Sequence, residues 1–176
     1  MDNNWKKSAL MVIDVQLGLF IRKTPIYNAE TLFTNINSLI DSARVANIPI
    51  VFIQHSNDNS LVKGTKKHQY HSEIHIKTED LIFNKTKLSA FIETHLHSFL
   101  QSKNITTLII IGTLSNVCVR ANCRAAKKLG YKVFLVEDGH SCLGAGKKGK
   151  SKVEEINKQL STENTVELIA TADVNF

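Results

Sequence analysis

Six short apolar runs, separated by segments of helical period, constrain this fold more than any other feature of the sequence. They cover residues 9–13, 50–53, 81–83, 108–111, 133–136 and, more weakly, 166–169. Continuous apolar runs of this length suit strands buried on both faces of a parallel sheet. The segments between them read as helices. Asn28 is placed to cap a helix with Leu32, Ile36, Leu39, Ile40 and Ala43 on one face. Ile92, Leu96, Phe99 and Leu100 mark a second helix. Val119, Cys123 and Ala126 form the stripe of a third, which Gly130 can end, and residues 154–160 suggest a fourth. Strands alternating with helices predict one three-layer α/β/α domain over residues 1–176. The expected sheet has six mainly parallel strands in the Rossmann-like order 3-2-1-4-5-6. Residues 57–69 and 141–151 read as long loops.

In such sheets, sites form beyond the carboxyl ends of the strands. Three reactive residues fall there. Asp14 follows the first run, Lys85 the third and Cys118 the fourth. Ser115 or Asn116 can cap the helix that follows the fourth run, which would put Cys118 in its first turn. Helix-start N–H groups favour a thiolate; the competing reading is a small apolar residue that packs the helix. Asp14 could exchange a proton with the thiol, and Lys85 could hold both groups ionised. The backbone N–H groups of Leu114 and Cys118 could form an oxyanion hole.

Composition narrows the classes. Only three cysteines are present, too few and too unpaired for a disulfide framework. No apolar run approaches the roughly 20 residues of a membrane span, and the N-terminus lacks a secretory pattern, so a cytoplasmic protein without a membrane partner is expected. The net charge of +6 comes from short lysine runs such as "KKGKSK". These read as solvated surface, since no nucleic-acid motif accompanies them.

The pieces "ALMVIDVQ", "KTKLSAFIETHLHSFL", "LIIIGTLSNVCVRANCRAAKKLGYKVFLVED" and the following "GHS" resemble the isochorismatase-like cysteine hydrolases. That group includes nicotinamidases, carbamoylsarcosine amidases and ureidoacrylate amidohydrolases. The resemblance implies that Asp14 is the general acid/base, Lys85 the catalytic lysine and Cys118 the nucleophile, with Lys87 a rival for the lysine. It further implies a cis peptide at Thr113–Leu114. Gln16, Phe20, His55 and Ser115 are expected around the triad, contacting substrate or supporting it. The expected activity is hydrolysis of a small amide or ureide through a covalent Cys118 intermediate. No cofactor is expected, and the assembly is expected to be a homodimer or homotetramer. The metal motif of nicotinamidases, Asp-x-His, is replaced here by "HSN", with His55 and Asn57 near those positions. No metal is therefore expected, although His68, His71 and His75 follow. The alternatives are a metal-containing nicotinamidase-type amidase and a catalytically silent binding protein. A nucleotide-binding oxidoreductase ranks below both, because "DVQLGLF" offers no phosphate cradle.

Overall fold

The computed structural model describes residues 5–176. Its strands are β1 (Ser8–Ile13), β2 (Ile50–His55), β3 (Leu81–Lys85), β4 (Thr107–Thr113), β5 (Lys132–Ser141) and β6 (Glu167–Ile169). All pair in parallel, in the order β3-β2-β1-β4-β5-β6. The expected architecture and strand order therefore hold.

Side chains alternate across the central strands. Leu10 and Val12 of β1 face one layer, and Ala9, Met11 and Ile13 face the other. Helix α1 (Leu17–Phe20) is a single turn. Helix α2 (Ala29–Val45) covers the first face with Leu32, Ile36, Leu39, Ile40 and Ala43. The second face is covered by α3 (Leu96–Ser102), α4 (Arg120–Lys128) and α5 (Gly146–Thr162), through residues such as Leu96, Leu100, Cys123, Ile156 and Leu160. Each fully buried leucine or isoleucine contributes about 1.5–3 kcal/mol, so these periodic stripes set which helix lies on which face. Among the described residues, no helix is long and apolar enough to cross a membrane.

The structure corrects the sequence reading in four places. β3 is an edge strand, and its Leu81 and Ile82 are 46% and 42% exposed rather than buried on both faces. An apolar run alone does not reveal how many neighbours a strand has. Asn28 occupies the N-cap position of α2 in a left-handed conformation, and its side chain does not cap the helix backbone; its Oδ1 accepts a bond from Thr31 Oγ1. Ile92 lies outside α3 and is 49% exposed. Residues 146–151, read as loop, are the first turns of α5. Two glycines and a lysine run argue against a helix start. Packing overrides them: a Cβ on Gly149 would lie 2.6 Å from Tyr27 Cβ, so only glycine lets α5 approach so closely.

Candidate functional site

The carboxyl ends of β1, β3 and β4 converge. Asp14 immediately follows β1, and its backbone is left-handed, with φ 49°. Non-glycine residues rarely adopt that conformation, which often marks functional sites. Two bonds hold it there. Its N–H donates to Ile53 O at 3.0 Å, and its carbonyl accepts Thr113 Oγ1 at 2.7 Å. β1 and β4 can approach because Gly112 lacks a Cβ; one added there would stand 2.2 Å from Ile13 O.

Lys85 ends β3 opposite His55. Its side chain is fully buried, and Nζ lies 2.7 Å from Asp14 Oδ2. The same Nζ donates to Cys118 Sγ at 3.3 Å and to Lys87 O at 3.3 Å. It also lies 3.4 Å from His55 Nδ1, which is therefore the unprotonated ring nitrogen. Burial, with Lys85 beside it, lowers the His55 pKa to about 4. Lys87 does not compete for this position. It points outward to Glu93, 3.6 Å away, with both side chains more than half exposed.

Cys118 lies in a π-helical turn, Ser115–Val119, that leads into α4. The expected α-helical first turn with a Ser115 or Asn116 cap does not form; Leu114 occupies the cap position. Its carbonyl accepts the N–H groups of both Val117 and Val119. π-turns are uncommon and recur at functional sites. The Thr113–Leu114 peptide is cis, as the resemblance implied.

The expected lowering of the Cys118 pKa does not occur. Burial, followed by the Asp14 charge, raises the thiol to about 12, and Lys85 only partly offsets them. Burial also raises the Asp14 carboxyl, against the opposing pull of Lys85. Cys118 is therefore a thiol at neutral pH. A helix start favours a thiolate only where water or other donors also solvate it, and the thiol here is 8% exposed beside a carboxylate. Neither Asp14 oxygen has a hydrogen bond of good geometry among the described residues. Lys85 compensates the carboxylate as an ion pair, with Nζ 2.7 Å from Oδ2.

The supporting residues make separate contacts. Gln16 is buried and does not bind Asp14. Its Nε2 donates to His55 O and His68 O, and its Oε1 accepts the His55 N–H at 2.8 Å. It thus joins the end of β2 to the short 3₁₀ turn Lys66–His68. Phe20 packs on Phe33 and His71, with ring centroids 4.9 and 5.0 Å away, in an aromatic cluster of its own. Ser115 Oγ lies 2.8 Å from His140 Nδ1.

The sequence reading missed Asn122, His140 and Asn157. Asn122, four residues after Cys118, donates to Cys118 O at 2.8 Å and accepts the Ala90 N–H at 2.8 Å. It ties the "KLSAF" loop to the turn that carries Cys118. A polar residue on the apolar face of α4 was the available signal. His140 lay in the quoted "GHS", but no sequence spacing links it to Ser115 or Asn157.

The residues present do not form a metal-binding set. Asn57 Oδ1 already accepts the N–H groups of Asn59, Ser60 and Leu61, and His55 Nδ1 faces Lys85. His68 bonds Ser56, His71 stacks on Phe33, and His75 pairs with Asp41. Among the described residues, no three metal-ligating side chains converge.

A doubly wound parallel sheet with a buried carboxylate, lysine and cysteine at the carboxyl ends of its strands is the arrangement that the resemblance to the isochorismatase-like hydrolases implies. Residues 8–171 match the Isochorismatase domain, and the chain belongs to the isochorismatase family, whose members are generally hydrolases. It is 31% identical to the uncharacterized isochorismatase family protein YrdC of Bacillus subtilis, over 79% of this chain and 76% of that one. It is 29% identical to Nicotinamidase 3 of Arabidopsis thaliana, over 78% and 74% of the two chains. The crystal structure of a cysteine hydrolase from Pseudomonas syringae pv. phaseolicola 1448A has the same fold, with a TM-score of 0.87 at 19% identity, covering 98% of this chain and 92% of that one.

Proposed function

We propose that this protein is a cysteine-dependent hydrolase of a small C–N substrate, an amide or a ureide. The observation that carries this reading is the convergence at Lys85 Nζ, 2.7 Å from Asp14 Oδ2 and 3.3 Å from Cys118 Sγ. The similarity to a protein named as a nicotinamidase supports a C–N bond as the target.

The pKa shifts favour proton transfer during attack over a preformed thiolate. A thiol near 12 is a weak nucleophile, and a buried carboxylate with a raised pKa is a stronger base than an exposed one. Asp14 takes the Cys118 proton as Sγ bonds to the substrate carbonyl carbon. The N–H groups of Leu114 and Cys118 receive the oxyanion. The C–N bond then breaks, and Asp14 gives the proton to the departing amine. Water attacks the thioester and passes a proton to Asp14. The acid leaves as the C–S bond breaks, and Asp14 returns the proton to Sγ. Lys85 keeps Asp14 charged when it must accept a proton and offsets the negative charge passing between oxygen and sulfur.

The test is ammonia release from a panel of small amides and ureides, by wild type and Cys118→Ala, with and without chelator. Turnover by wild type that survives chelation, a protein adduct of acyl mass and none of these in Cys118→Ala are expected. Turnover retained by Cys118→Ala would sink the covalent mechanism. Turnover lost on chelation and restored by zinc, manganese or iron would replace it with a metal-dependent one.

A further inference from the structure

Behind the nucleophile turn lies a chain of buried polar groups that the proposed mechanism does not use. Ser115 Oγ is 2.8 Å from His140 Nδ1, and His140 Nε2 is 2.7 Å from Asn157 Oδ1. Asn157 Nδ2 donates to Glu137 O at 3.0 Å. Ser115 and His140 are 0% and 3% exposed. The chain links three elements: the π-turn, the end of β5 and α5. A bulge in β5 sets it up. The register with β4 shifts between Ile110 and Gly112, bringing His140 opposite Gly112 and Ser141 opposite Thr113. Gly139 permits the bulge, since a Cβ there would meet Ile111 and Val136 at 2.9 Å.

The donor inventory fixes every proton in this chain. Asn157 spends its N–H on a carbonyl, so its Oδ1 must accept. His140 Nε2 therefore carries the hydrogen. A neutral imidazole then has an unprotonated Nδ1, so the Ser115 hydroxyl must donate. Burial keeps His140 neutral, lowering its pKa to about 4. An imidazolium could not accept from Ser115; its Nδ1–H would donate to Ser115 Oγ instead, reversing the bond and turning the hydroxyl proton out of that link.

We propose that His140, oriented by Asn157, is a positioning residue that holds Ser115 and with it the turn presenting the Leu114 N–H and the Cys118 thiol. This rests on the hydrolase reading for its catalytic meaning, though not for its geometry. Ser115 lies between Leu114 and the rest of the π-turn, so its hydroxyl bond anchors that turn to β5 and, through Asn157, to α5. Other groups facing His140 are few. Glu137 and Asp138 precede it in β5, and Tyr27, together with Lys150 and Glu154 of α5, lines a cavity of about 360 Å³ that His140 and Asn157 also border. Asp138 is held by Asn35 and Thr171, and Lys150 lies 3.7 Å from Glu154.

Asn157→Asp tests the idea. The change keeps the acceptor at Oδ1 and adds a negative charge 2.7 Å from His140 Nε2, while giving up the Nδ2–H bond to Glu137 O, so imidazolium becomes favourable at higher pH. The measurement is the pH dependence of Cys118 alkylation, mapped by mass, alongside that of kcat for any amide turned over. Asn157→Asp is expected to add a titration step between pH 5 and 8 that wild type lacks, with a change in rate of about three- to tenfold, the range of one hydrogen bond. Adding Ser115→Ala should abolish the step, because no hydroxyl remains for His140 to turn; Ser115→Thr should restore it. Nitrogen NMR of wild-type His140 should show the Nε2–H tautomer. An unchanged profile in Asn157→Asp, a step that survives Ser115→Ala, or the Nδ1–H tautomer would each overturn the proposal. The two readings fail separately. A step in alkylation without hydrolysis of any substrate sinks the hydrolase and leaves the relay, whereas hydrolysis without the step does the reverse.

Discussion

Asp14→Asn should make Cys118 easier to ionise while stopping turnover. Asp14 Oδ2 and Cys118 Sγ lie 2.7 and 3.3 Å from the same Lys85 Nζ, so they are no more than about 6 Å apart. Two like charges at that limit, with an effective dielectric constant of about 20, repel by about 3 kcal/mol, and more strongly at shorter range. That corresponds to about two pH units. The Asp14 charge is the second cause, after burial, of the rise of the thiol to about 12. Removing it leaves Lys85 unopposed beside the sulfur. Wild-type alkylation by iodoacetamide, followed by mass mapping, should rise toward a midpoint near pH 12. In Asp14→Asn the midpoint should fall by about two units, so labelling at pH 8 should be up to about a hundredfold faster. Hydrolysis should fall at least about a hundredfold, because the proton acceptor is gone. A midpoint that stays or rises would refute this account of the thiol. Faster turnover would refute the role of Asp14.

Lys85→Met should move the same midpoint upward and lower the hydrolysis rate at least about a hundredfold, while Lys87→Met should do neither; the reverse pattern would show that the wrong lysine has been placed in the site. His140 gives an acid-sensitive contribution to stability. Its folded pKa of about 4 lies below the usual 6.5, so the unfolded chain binds more protons between these values. The contribution is complete above pH 6.5 and falls as pH drops toward 4, by about 2 kcal/mol between pH 6.5 and 5. Urea unfolding at those two pH values should show a smaller difference in His140→Leu than in wild type. Sedimentation should show a dimer or tetramer, the usual closed assemblies; a stable monomer would reject that expectation.

Much of this protein could be read from sequence because the signals are local. The α2 stripe and the apolar cores of β1 and β4 follow from the period at which side chains meet a packed layer. With short crossovers and right-handed connections, that period leaves few sheet orders open, and the observed order is one of them. Asp14, Lys85 and Cys118 were legible because the carboxyl end of a parallel strand is where a site can form, and because their motifs keep a recognisable spacing. What the sequence could not supply depends on distance in space. The edge position of β3 depends on which strand lacks a second neighbour. The start of α5 depends on Gly149 meeting Tyr27, 122 residues away in the chain. The relay through His140 depends on a bulge that brings residues 115, 140 and 157 together. The protonation of Cys118 depends most of all on tertiary structure. The sequence places the sulfur near a helix start, which favours its charge. The folded chain removes its water and sets a carboxylate beside it, and these two effects outweigh the lysine.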